Sequence, residues 1–143
     1  MCDLSIPTEI DSPHIFIKCF GVKVACGIAL VDTGAMVNCI PKIVADAIGG
    51  SIMNGMCETK SNTMVRGVTG NSTIGGKSIQ YKIEMKTDDG KTIVSTTANF
   101  LVVNGMSRII LGMPFLKHVN ATIHTGRKTT MTIQDHTFTL RGK

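Results

Sequence analysis

The chain has 143 residues, a formal net charge of +5 and 43% hydrophobic residues, with five Phe, one Tyr and no Trp. That length allows one small domain, the hydrophobic share excludes a disordered chain, and no apolar run nears the ~18 residues that would span a bilayer, so no membrane partner is expected. The basic residues are spread along the sequence and their densest pair, Arg127-Lys128, has no interleaved aromatics, which argues against a nucleic-acid partner.

The 15 glycines beside so few aromatics suit a turn-rich β protein built on Ile, Val and Thr. Residues 1–14, with Pro7 and Pro13 among polar residues, read as an extended amino-terminal arm, and residues 15–140 as the domain. Ile15 to Cys19 and Val22 to Cys26 are β-rich runs that form a hairpin through Phe20-Gly21. The second run continues to Val31 as a buried strand and stops abruptly at Asp32-Thr33-Gly34-Ala35. A buried unpaired carboxylate is costly, so Asp32 is expected to be buried with a partner, beside a glycine that lets the chain turn sharply.

Val37 to Ile40 predicts a short strand, and Pro41 opens a helix over Lys42 to Ile48 that Gly49-Gly50 closes. Residues 51–62 support no assignment. Met64 to Gly76 reads as two short strands around a tip rich in Gly, Asn and Ser, either a plain surface turn or a mobile lid. Gly76-Lys77-Ser78 is not a phosphate loop, because the earlier glycine is missing and a strand follows. Ile79 to Met85 alternates apolar and polar residues, Asp88-Asp89-Gly90 predicts a tight turn, and a strand returns from Ile93 to Val103.

Asn104-Gly105 makes a further turn. Ile109-Ile110-Leu111-Gly112 and the short helical turn Met113 to Leu116 then repeat the plan of Leu30-Val31 and its glycine. Ala121 to Ile123 and Thr129 to Ile133 are strands joined across Gly126, and Thr137 to Leu140 is short enough to sit at an edge or interface. The whole reads as mainly β with one or two short helices.

Five cysteines is an odd number and none is spaced Cys-x-x-Cys, which points to reduced, mostly structural thiols. His14, His118, His124 and His136 do not cluster, so neither a metal nor another cofactor is expected. The segment Met1-Cys2-Asp3-Leu4-Ser5 lacks the basic start and apolar middle of a signal peptide, and the expected location is intracellular.

Asp32-Thr33-Gly34-Ala35 behind an apolar strand resembles the active-site motif of retroviral-type aspartic proteases, the retropepsins. The hairpin before it, the glycine-rich hairpin at Gly67–Gly70 in the place of a flap, and Ile109-Ile110-Leu111-Gly112-Met113 as the second signature extend the likeness over residues 15–133. The long spacing from Asp32 to the flap and the Leu-Gly-Met-Pro-Phe-Leu segment are more similar to pararetroviral or retrotransposon members than to compact animal-retroviral ones, and a cellular retropepsin-like domain is the alternative.

The resemblance implies a small closed β-barrel that is active as a symmetric homodimer. It implies that Asp32 is catalytic, that Thr33 and Gly34 support it, and that Ala35, Gly67, Val68, Thr69, Gly70 and Ile110 bind substrate, with Ile74 a further pocket candidate. No second acidic residue follows an apolar strand with Thr/Ser-Gly behind it, so one chain carries half a site. The implied partners are a second copy and a polypeptide, the chain's own precursor polyprotein, in the host cytoplasm or a virus-like particle. A retropepsin-like module that binds or dimerises without much catalysis is the alternative.

Overall fold

The computed structural model describes residues 12–50, 52–53, 64–67 and 70–142. It is mainly β, with two short helices packed against a closed barrel. Strand β1 (His14–Phe20) turns inward Ile15, Ile17 and Cys19, the alternation that a half-buried strand requires. It pairs antiparallel with β2 (Val24–Val31) from His14↔Leu30 to Phe20↔Val24, so the hairpin loop is residues 21–23. β3 (Cys39–Pro41) leads straight into α1 (Lys42–Ile48), with Pro41 at the N-cap and Gly49, at φ 78°, closing the helix as its sequence predicts.

Beyond β4 (Ile52–Met53) and β5 (Met64–Gly67) comes β6 (Gly70–Lys86), a single strand of 17 residues. The sequence splits this stretch in two at its glycines, whereas the strand runs through them and shifts register between Ile74 and Ser78. Asn71 and Ser72, expected in a turn, lie in the ladder opposite Arg66 and Val65. β7 (Ile93–Val103) returns antiparallel after the Asp88-Asp89-Gly90 turn.

Next come β8 (Ile109–Leu111) and α2 (Met113–His118), followed by β9 (Thr122–His124), β10 (Thr129–Ile133) and β11 (His136–Leu140).

The barrel wall runs β1-β2-β8-β3-β7-β6 and closes where β6 meets β1 at Lys18↔Glu84 and Phe20↔Lys82. Closure leaves no long edge among these six strands. The parallel pairs β2–β8 and β3–β7 cross the middle of this wall. The last three strands form their own sheet in the order β11-β10-β9, so Thr137 to Leu140 does lie at an edge. His14 and Arg141 tie this sheet to the barrel through reciprocal backbone hydrogen bonds of 2.8 and 2.9 Å. Asp88 adds a second tie by accepting from the Thr139 amide at 2.8 Å and its hydroxyl at 2.6 Å.

The main core gathers Ile17, Tyr81, Ile83, Phe100, Phe115 and Phe138, each 1% exposed or less. A smaller apolar cluster of Leu30, Cys39, Leu101, Val103, Met106 and Ile110 lies on the other side of the parallel strands, with Ala35 and Val37 packed against it.

Cys19, Cys26 and Cys39 are all free thiols. Burial pushes Cys19 up to about 12, with help from nearby Cys26, and Cys39 up to about 11, which fits structural rather than reactive roles. Cys26 is exposed.

Candidate active site

β2 delivers Asp32 to the end of a strand whose last three residues are buried by their parallel pairing with β8: Ala29↔Ile109, Leu30↔Ile110 and Val31↔Leu111. The repeated plan seen in the sequence is therefore a physical pairing of its two halves. Past Val31 the chain leaves the sheet. The Asp32 amide donates to the Leu111 carbonyl at 3.0 Å, and the Ala35 amide donates back to the Asp32 carbonyl at 3.2 Å. The Gly34 amide donates to Asp32 Oδ1 at 2.9 Å, which fixes the carboxylate over its own loop. A β-carbon on residue 34 would meet that oxygen at 3.3 Å, so glycine keeps the approach open.

One expectation is corrected here. Asp32 is not buried: in the single chain Asp32, Thr33 and Gly34 are all exposed. The apolar run buries the strand but ends before the acid, and no described residue covers the three that project beyond the sheet. Among the described residues no second carboxylate pairs with Asp32.

Asp32 and Thr33 open onto a groove of about 460 Å³ whose walls include Leu30, Ile110, Ile123 and Leu140. Ile110 thus lines the same groove as Asp32. Ile123 and Leu140 come from the carboxy-terminal sheet and carried no motif to announce them; only the topology brings them here. Ala35 does not line this groove in the single chain. Its carbonyl accepts from the Met113 amide at 2.8 Å and its side chain packs toward Gly112 and the smaller apolar cluster, not into the groove.

Gly67 and Gly70 pair with each other at the ends of β5 and β6. Val68 and Thr69, expected to bind substrate, lie outside the described residues, and so does the Ile74 side chain, although Ile74 pairs with Val103 in the ladder.

Asn38 is a further residue of this region that the motif does not mark. It is 5% exposed. Its Oδ1 accepts from the Gly112 amide at 2.8 Å and the Phe115 amide at 3.2 Å, and its Nδ2 donates to the Asn99 carbonyl at 3.1 Å. A polar residue inside the apolar run Val37-Asn38-Cys39-Ile40 was the available signal.

No cluster of three or more metal-ligating side chains occurs among the described residues, and no described helix is long and apolar enough to cross a membrane.

No protein-family profile and no curated protein sequence matches the chain. Among solved structures, the chain is similar to the retroviral protease-like domain of Ddi1 from Leishmania major. The two share 18% identity over 90% of this chain and 94% of that one, with a TM-score of 0.55. At that identity the likeness concerns the fold, and it agrees with the closed six-stranded barrel and two short helices described above. The chain therefore has a retroviral protease-like fold.

Proposed function

We propose that the chain is an aspartic endopeptidase that contributes one catalytic Asp32 per subunit to a symmetric homodimer. The observation that carries this reading is an exposed Asp-Thr-Gly loop at the end of a barrel strand, opening onto an apolar groove, on a retroviral protease-like fold. A single carboxylate of this kind is half of a general acid–base pair, and a two-fold axis supplies its equal. β9 supports association: it is one of the two edge strands of the carboxy-terminal sheet, and its Ile123 lines the same groove as Asp32.

Two Asp32 carboxyls held close together in a dimer would repel as two anions, so the pair shares one proton. The ionised member takes a proton from a water between them while the protonated member donates to the scissile carbonyl. Attack by the water gives a tetrahedral diol. Its collapse returns a proton to the leaving amine and restores the pair without an acyl-enzyme. Thr33 hydrogen-bonds across the dimer beneath the acids and keeps them coplanar. The Gly67–Gly70 hairpin closes over the bound strand and lends it main-chain hydrogen bonds. The substrate is an extended polypeptide, a viral or retroelement polyprotein that includes the chain's own precursor.

Asp32→Asn tests the reading, because it keeps the loop's shape and removes the proton exchange. The variant is expected to fold and to cut no peptide, and a hydroxyl-bearing transition-state peptide should block the wild type. Cleavage by the Asn variant would overturn the assignment. Specific activity should also fall on dilution as dimers part, and strict proportionality to concentration would remove the half-site. The rival, a binding or dimerisation module on this fold, predicts association without turnover.

A further inference from the structure

We propose that Asn38 is the positioning residue for Asp32, a role that rests on the endopeptidase reading. Its carboxamide is the one side chain among the described residues that bonds the catalytic loop to the start of α2.

The helix α2 begins at Gly112, which has no side chain with which to cap it. Two of the amides at this end, those of Gly112 and Phe115, are instead satisfied by Asn38 Oδ1 from 74 and 77 residues away in sequence. The same amide group holds Asn99 on β7, and the Asn38 backbone carbonyl accepts from Leu101 at 2.8 Å. One residue thus joins β7, the end of β8 and the first turn of α2.

The loop between Asp32 and Asn38 is held against three consecutive residues of that junction. Leu111 accepts from the Asp32 amide at 3.0 Å, Gly112 donates to Asn38 Oδ1 at 2.8 Å, and Met113 donates to the Ala35 carbonyl at 2.8 Å. Removing the middle bond leaves the Gly112 and Phe115 amides buried without an acceptor, which a protein relieves by moving the backbone. The backbone that moves is the one on which Asp32 and Ala35 rest. Asn38 itself does not line the groove, so its effect on catalysis passes through the loop. Small misplacements of reacting groups are expensive: about 1 Å costs on the order of a hundred-fold in rate.

The test compares wild type with Asn38→Ala, which removes every side-chain bond, and Asn38→Asp, which keeps the acceptors and loses the donor. Three readouts are taken on protein shown to be folded by its core amide resonances: kcat and KM for a peptide substrate, the pH–rate profile, and the Gly34 amide resonance with its hydrogen exchange. The Gly34 amide touches Asp32 Oδ1 and needs no turnover to report on it.

In Asn38→Ala, kcat is expected to fall on the order of a hundred-fold with KM nearly unchanged. The limbs of the pH profile should shift, and the Gly34 amide should move and exchange faster. Asn38→Asp should fall between the two, and it carries the test if the alanine variant does not fold. An unmoved Gly34 amide in a folded variant overturns the proposal, whatever the rate. If the wild type cuts nothing while the Gly34 amide still moves, the endopeptidase reading fails and the positioning of Asp32 stands.

Discussion

Gly112 passes so close beneath Val37 that a β-carbon built on it would lie 2.4 Å from the Val37 carbonyl oxygen and 2.8 Å from that of Ala35. Both obstacles are backbone, so no side chain can swing aside, and the loop that carries Asp32 must lift to admit a methyl group. Gly112→Ala is expected to lower stability by about 2 kcal/mol, read from the urea midpoint, as overpacked sites do. Cleavage should fall further than the loss of folded protein explains, because the displaced loop is the catalytic one.

Tyr81, buried on β6, reaches the end of α1. Its hydroxyl donates to the Gly49 carbonyl at 2.7 Å, with the Ala45 carbonyl at 3.2 Å. Tyr81→Phe removes the donor with little change of shape, and the expected cost is about 1 kcal/mol in a denaturant melt. Gly21 packs against the same place, where a β-carbon would meet Ile48 at 2.6 Å and Tyr81 at 2.8 Å. Gly21→Ala should therefore loosen the hairpin from α1, seen as faster hydrogen exchange at the Lys23 amide, which donates to Ile48 at 2.9 Å.

The turn between β6 and β7 carries a pH-dependent contribution. A hydrogen bond from the Thr87 hydroxyl, and then one from the Lys91 amide, hold the Asp89 carboxyl below its ordinary value of 3.8. The folded state thus binds this proton less readily than the unfolded chain. Its stabilisation is full above the ordinary carboxylate pKa and is lost as pH falls through the lower folded value. Asp89→Asn should be less stable than wild type at neutral pH, and the gap should close in strong acid, as urea midpoints across pH would show.

Thiol chemistry should separate the described cysteines cleanly. Alkylation at mildly basic pH followed by peptide mapping is expected to mark Cys26 and spare Cys19 and Cys39, which react only in denaturant. With the two buried thiols raised to about 12 and about 11, the unfolded chain ionises first. Their contribution to stability is complete below the ordinary value of 9.0 and is lost as pH rises toward the folded values.

Much of this architecture could be read from local pattern. The Phe20-Gly21 hairpin, the α1 start at Pro41, the Asp88-Asp89-Gly90 turn and the Asp32 motif each rest on neighbours a few residues apart, which a sequence displays directly. The 17-residue β6 was not visible, because glycines that break a lone strand are carried by the ladders on either side of it. The exposure of Asp32 was missed for a different reason. A run of apolar residues reports the burial of the strand and says nothing of the step beyond its end. Asn38, Ile123 and Leu140 join the site only through contacts distant in sequence, and such contacts leave no periodicity behind.

The single tyrosine of a chain without tryptophan has an optical consequence. Tyr81 is 1% exposed and hydrogen-bonded to backbone carbonyls. Ultraviolet emission from the unmodified protein therefore comes chiefly from one phenol at a known address. Its quenching or release gives a label-free signal for the seam between barrel and helix, which can be followed through folding, association or inhibitor binding without adding a dye.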